Sequence, residues 1–119
     1  MNNCVFVLED NEAIREIIEI LLETKGFNVK SFANATEFYE GINNGDPPAL
    51  IIMDVMLPDG NGIEICKMLK ADSKKQMIPV LLMSAHASKD EAMNANAEGF
   101  IAKPFDINLF MDQVSGQVA

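Results

Sequence analysis

The sequence has no basic cluster, no apolar run longer than a few residues and only two cysteines. Nine lysines and arginines face eighteen acidic residues, for a net charge of −9. Such a balance repels phosphate backbones, so direct nucleic-acid binding by this chain is not expected; a role at DNA would fall to another domain or protein. The short apolar runs exclude a membrane-spanning helix. The opening MNNCVFVLEDNE lacks the basic start and long apolar stretch of a secretory signal, so a cytoplasmic location is expected. Cys4 and Cys66 stand far apart, outside any metal-ligand spacing, and read as small buried hydrophobes of a reducing compartment. His86 is the only histidine.

What is present is a globular composition: 49% hydrophobic residues in 119, read as one domain over 1–119 with one core. Short apolar runs alternate with helical patterns five times. CVFVL (4–8) reads as the first strand, and a helix with apolar residues at 14, 17, 18, 21 and 22 runs from Asn11 to a stop at Lys25-Gly26. FNVKSF (27–32) alternates more, as an edge strand does. Asn34-Ala-Thr-Glu37 starts a second helix. ALIIMD (49–54) is apolar on both faces, and IEICKMLK follows Gly60-Asn-Gly62 as the third helix. After a polar loop at 72–76 come a fourth strand, VLLMS (80–84), and a capping box, Ser88-Lys-Asp-Glu91, whose helix is expected to end near Gly99. FIAK (100–103) is the fifth strand, and Asp106 caps a last helix running to about Val118. Continuous apolar strands between amphipathic helices predict an α/β protein whose parallel sheet is covered on both faces. Length excludes an eight-unit barrel and leaves an open, doubly wound sheet, in which ligands sit beyond the carboxyl ends of the strands.

Those ends carry Glu9 and Asp10, Asp54, Ser84 and Lys103. If strands one, three, four and five are neighbours, the side chains converge. Two like charges ~4 Å apart repel by about 4 kcal/mol at an effective dielectric near 20, and Lys103 supplies a single positive charge against three carboxylates. An oxygen-rich set without cysteine or histidine suits a hard, partly hydrated divalent ion, Mg²⁺ rather than zinc. Asp54 then becomes a candidate nucleophile that takes up a phosphoryl group as an acyl phosphate, with Lys103 and the ion offsetting charge and Ser84 donating a hydroxyl hydrogen bond.

The set Glu9-Asp10, MDVMLPDGNG at 53–62, MSA at 83–85 and AKPF at 102–105 resembles the response-regulator receiver domains of two-component signalling, in the right order and over essentially the whole chain. The resemblance implies a flavodoxin-like (βα)5 fold with a five-stranded parallel sheet in the order 2-1-3-4-5. It implies that Asp54 accepts phosphate from a phosphohistidine on a sensor histidine kinase or histidine phosphotransfer protein. Asp10 and Asp54 would be direct Mg²⁺ ligands, Met56 would add its backbone carbonyl, and Glu9 would act largely through water. Ser84 and Lys103 would contact the phosphoryl group, and Ser84 and Phe100 would form the switch. The chain would catalyse only its own phosphorylation and slow dephosphorylation, and so would not be an enzyme in the ordinary sense. A downstream protein would bind the face of helix four, strand five and helix five, with the chain a monomer or a phosphorylation-dependent dimer. Glu9 stands where aspartate is commoner, Ser84 where threonine is, and Phe100 lacks a phenol; none of these removes a required group.

A stand-alone receiver is the expected form, with a receiver fragment of a longer regulator and a phosphate-independent binding module as the alternatives. A dehalogenase-type phosphatase needs a second acid two residues after the nucleophile, where this chain has Met56. A flavodoxin needs a small-residue phosphate cradle after strand one, where this chain has Glu-Asp-Asn-Glu.

Met56 and His86 each lie two residues beyond a site residue and are expected to overhang the phosphoryl group. Asp59, in a Pro-Asp-Gly turn, is read as favoured for backbone reasons alone. Ala13, Ile14, Ile17, Ile18, Ile20, Leu21 and Leu22 cover roughly 200° of the first helix, about twice a minimal core stripe. The excess reads as a docking surface for kinase helices. Met53, Met68 and Met83 are expected to fill core gaps. Leu109 lies off the last helix's stripe of Phe110, Val114 and Val118, a weak sign of an output or dimer contact.

Overall fold

Asn11 ends the first buried run and, by accepting the Ile14 N–H (3.0 Å), starts the first helix. That alternation repeats through the computed structural model, which describes residues 2–118. Strand β1 (Cys4–Leu8) leads to α1 (Glu12–Thr24), β2 (Asn28–Phe32) to α2 (Ala35–Asn43), and β3 (Leu50–Asp54) to a short hairpin of β4 (Met56–Leu57) and β5 (Gly60–Asn61). Then follow α3 (Gly62–Ala71), β6 (Val80–Ser84), α4 (Lys89–Asn94), β7 (Gly99–Ala102) and α5 (Ile107–Val118). The main sheet is parallel, in the order β2-β1-β3-β6-β7. With the small hairpin left out of the count, this is the 2-1-3-4-5 order, a flavodoxin-like doubly wound sheet.

Burial follows position. Every residue of β3 and β6 is buried, as central strands require, whereas β2, at the edge, has none. Phe6, Met53 and Leu82 point to α2, α3 and α4, where Phe38, Ile65 and Ala92 meet them. Val7, Ile52 and Met83 point the other way, to Ile18 and Leu22 of α1 and Phe110 of α5. Asp106 Oδ1 accepts the N–H groups of Asn108 (2.8 Å) and Leu109 (3.1 Å), the expected start of α5.

Three expectations are corrected. Helix α4 stops at Asn94, well short of Gly99. Asn96 takes a left-handed φ of 63°, which asparagine tolerates, and residues 95–98 carry the chain back so that the Glu98 side chain accepts the Val80 N–H (2.7 Å). Met68 is exposed on α3, beside the Tyr39 hydroxyl (3.6 Å), while Met53 and Met83 are fully buried. At 100° per residue Met68 falls outside the stripe of Ile65, Cys66 and Leu69. Cys4 is half-buried, because it opens β1 at the rim of the sheet, whereas Cys66 is enclosed and its thiol is pushed up to about 11 by burial. No helix among the described residues is long and apolar enough to cross a membrane.

Candidate functional site

The site follows from register and alternation. Leu8 pairs with Met53, Asp54 with Met83, and Ser84 with Ala102, so the residues just past these pairs stand along one edge of the sheet. The ladder continues into that edge through Glu9 N–H to Phe32 O (3.1 Å), Val55 N–H to Met83 O (2.9 Å) and Lys103 N–H to Ser84 O (3.0 Å). Side chains alternate across a strand. Glu9, Asp54 and Lys103 therefore share the side of Val7, Ile52 and Ile101, towards α1 and α5, while Ser84 faces the side of α4.

The sheet thereby builds a buried charge cluster. Glu9 is fully covered (0% exposed) and Asp54 nearly so (7%), and both accept hydrogen bonds from Lys103 Nζ, at 2.9 Å in the case of Asp54 Oδ2. Glu9 also accepts the Asn11 N–H (3.1 Å), and Asp54 Oδ1 accepts the Met56 N–H (3.2 Å). Burial lifts the Glu9 carboxyl above its ordinary pKa, and the hydrogen bonds from Lys103 and Asn11 only partly oppose this. Burial acts in the opposite sense on Lys103, but its hydrogen bonds to Glu9 and Asp54 prevail and hold the ammonium above its usual range. Asp10 is exposed at the cleft mouth, and one oxygen each of Glu9, Asp10 and Asp54 lie within 4.8 Å of one another. Three hard oxygen donors with one lysine between them fit a divalent oxygen-seeking cation, which would complete the charge balance.

A cleft of about 290 Å³ opens over this cluster, and Met56, Ser84 and His86 line it. The Met56 side chain is exposed at its rim, as is His86. Ser84 Oγ, buried, accepts the N–H groups of His86 (3.0 Å) and Ala87 (2.8 Å), which leaves its hydroxyl hydrogen to donate. Phe100 is half-buried on the same side of the sheet as Ser84, packed on the core beneath α4. Glu9, Asp10, Asp54, Met56, Ser84, His86 and Lys103 thus line one cleft, and Phe100 lies behind it.

The roles of three supporting residues are not legible in the sequence. Arg15 Nη1 donates to the Glu9 carbonyl (2.8 Å) from inside α1. Asp59 is more than a turn residue: its carboxylate accepts from Ala35 N–H (2.7 Å), Thr36 N–H (3.0 Å) and the Thr36 hydroxyl (2.7 Å), capping α2 from another loop. These bonds, with that from Ala35 the strongest, hold its carboxyl below the ordinary range. Gly62 opens α3 against the site strand, its N–H bonded to Val55 O (2.7 Å). A Cβ there would overlap the Asp54 carbonyl oxygen and lie 3.0 Å from Val55 Cα. Gly62→Ala is expected to cost about 1–3 kcal/mol and to displace the Asp54 backbone. Urea unfolding would show it, and a variant as stable as the parent would contradict the close approach.

Beside the cleft, Ile14, Ile17, Pro104, Phe105 and Ile107 line an apolar groove of about 270 Å³. Ala13, Ile17 and Ile20 form an exposed apolar strip on α1 that begins there.

Comparison with known proteins agrees with this fold. The family model described as the response regulator receiver domain matches residues 5–115. The DNA-binding transcriptional regulator NtrC of Proteus hauseri is 30% identical over 87% of this chain, and the match spans 22% of its own length. The polar-differentiation response regulator DivK of Brucella anthropi is 30% identical over 96% of this chain and 94% of its own. In structure, the chemotaxis response regulator CheY4 of Vibrio cholerae superposes with a TM-score of 0.88 at 24% identity, covering 98% of each chain, a likeness that bears on the fold. The chain therefore spans about a fifth of one relative and nearly all of another.

Proposed function

The chain belongs to the family of response regulator receiver domains, signalling modules rather than enzymes in the ordinary sense, and from that premise we propose that it is a phosphorylation-dependent switch whose acceptor is Asp54. The observation that carries this reading is the carboxylate of Asp54 held at the floor of an open cleft by Lys103, beside Glu9 and Asp10.

An Asp54 oxygen attacks the phosphorus of a phosphohistidine in line. The new P–O bond forms as the P–N bond breaks, and the departing imidazole nitrogen keeps the electron pair and takes a proton. Lys103 moves from the Asp54 carboxylate to the phosphoryl oxygens. The Asp10 and Asp54 carboxylates and the Met56 carbonyl would hold Mg²⁺, and Glu9, committed to Lys103 and Asn11, would reach it through water. An ion held there would supply charge neutralisation at the transferring group. Ser84 donates its hydroxyl to a phosphoryl oxygen. In turning towards it, Ser84 gives up the N–H groups of His86 and Ala87 and loosens the segment that leads into α4. Phe100, on that side of the sheet, follows. Phosphorylation thereby favours an alternative arrangement of the α4–β7–α5 face, which a downstream protein reads.

Met56 overhangs the cleft with a side chain that neither orients nor activates water. Met56→Asn is expected to shorten the lifetime of the phosphorylated form several-fold, as read by its decay after the donor is removed; an equal or longer lifetime would contradict the screening role. The α1 strip and the adjoining groove form the surface on which the phosphodonor docks. Ile20→Glu, exposed and remote from the chemistry, should slow transfer from a phosphohistidine protein about tenfold, roughly 1.4 kcal/mol, while leaving uptake from acetyl phosphate unchanged. Equal transfer rates would exclude docking there.

The direct test is intact mass after incubation with Mg²⁺ and acetyl phosphate, repeated with a phosphohistidine donor. A Mg²⁺-dependent gain of one phosphoryl group is expected. No gain from either donor would favour a phosphate-independent binding module.

A further inference from the structure

The Asp10 carboxylate, which must meet Asp54 across the cleft mouth, makes no side-chain hydrogen bond among the described residues. Without a side-chain partner, it takes its direction from the backbone on either side. After Asp10, Asn11 is held as the α1 cap, with its N–H on Glu9 Oε2 (3.1 Å) and its carbonyl accepting the Arg15 N–H (2.9 Å). Before Asp10, the Glu9 N–H is spent on the sheet, and the Glu9 carbonyl has left the ladder. Its partner is the half-buried guanidinium of Arg15, whose Nη1 donates to it at 2.8 Å. The plane of the Glu9–Asp10 peptide is thus set by a side chain that returns from one turn inside α1.

We propose that Arg15 is a positioning residue: by holding the Glu9 carbonyl it orients Asp10 for the divalent cation. This rests on the switch reading above and deepens it, because it assigns a residue outside the acidic cluster to the cation step. The sign of the effect is diagnostic. A guanidinium acting only through its charge repels a cation, so its removal would tighten Mg²⁺ binding. A guanidinium that aligns a ligand does the reverse, and its removal weakens binding.

The experiment is calorimetric titration of Mg²⁺ into the wild type, Arg15→Met, which keeps an unbranched stem but no donor, and Arg15→Lys, which keeps a donor. Thermal unfolding with and without Mg²⁺ accompanies it. Arg15→Met is expected to raise the Mg²⁺ Kd about tenfold, the lower end of what loss of an outer hydrogen bond to a metal ligand costs. Arg15→Lys should recover part of that loss, and phosphoryl uptake at saturating Mg²⁺ should change less than about twofold. A Kd for Arg15→Met that equals or falls below that of the wild type overturns the assignment. A lowered melting temperature with unchanged Kd also overturns it, since the role would then be structural. If the wild type itself gives no Mg²⁺ heat, the switch reading fails first, and this assignment falls with it.

Discussion

Asp54→Asn is expected to abolish phosphoryl uptake completely and, without Mg²⁺, to make the chain more stable. The amide keeps the shape of the side chain and an oxygen for Lys103, but it has no anionic oxygen with which to form an acyl phosphate. Asp59, the other acid of the 53–62 segment, does not substitute, because both its oxygens are bound to the N-terminus of α2. The stability gain follows from charge. Asp54 stands close to two acids, Glu9 and Asp10, and in contact with one cation, Lys103, with one oxygen of each acid inside 4.8 Å. At an effective dielectric near 20, two repulsions at that spacing outweigh one attraction by about 1 kcal/mol, a few degrees in Tm for a domain of this size. Intact mass and thermal unfolding read the two effects separately. A phosphoryl group gained by the Asp54→Asn variant would move the acceptor elsewhere, and a lower Tm would mean that the Lys103 pair outweighs the crowding.

The second large effect is in stability. Lys103→Met leaves Glu9 buried with its principal cation removed, and stranding a buried charge costs several kcal/mol. A loss of about 3 kcal/mol near neutral pH is expected, the low end of that range, because Glu9 lies just beneath an open cleft. The deficit depends on pH in a defined direction. Burial already raises the Glu9 pKa above its unfolded value, and loss of Lys103, which opposes that rise, raises it further. The folded variant then binds a proton that the unfolded chain does not, so its stability falls as pH rises through that window. The deficit should shrink between pH 7 and pH 5, and Glu9→Gln in the same chain should remove most of it. For the wild type, Lys103 has a raised folded pKa. Its contribution is complete below the unfolded value of about 10.4 and is lost as pH climbs through the folded one. Urea unfolding at several pH values measures all of this. A deficit independent of pH would show that the stranded Glu9 charge is not its cause.

Taken alone, the sequence determined the alternation of strands and helices, the open parallel sheet, and the ends at which Glu9, Asp54, Ser84 and Lys103 stand. These depend on patterns a few residues long: apolar runs, caps at Asn11, Asn34 and Ser88, and glycines that end helices. Helix α4 ends at Asn94, before the local pattern calls for it, and the chain beyond it is tied back by a long-range contact, the Val80 N–H donating to the Glu98 side chain. Met68 lies at the surface, which its residue type does not reveal, because methionine serves core and surface alike. Only the tertiary structure decided that Lys103 joins Glu9 to Asp54, that Asp59 caps α2 and that Arg15 holds the Glu9 carbonyl. The first of these contacts spans 94 residues of chain and the second 24. A pattern that repeats every two or every 3.6 residues places a side chain on a face, but it holds no information about which distant loop that face will meet; that is settled when the sheet closes its register and the helices pack across it.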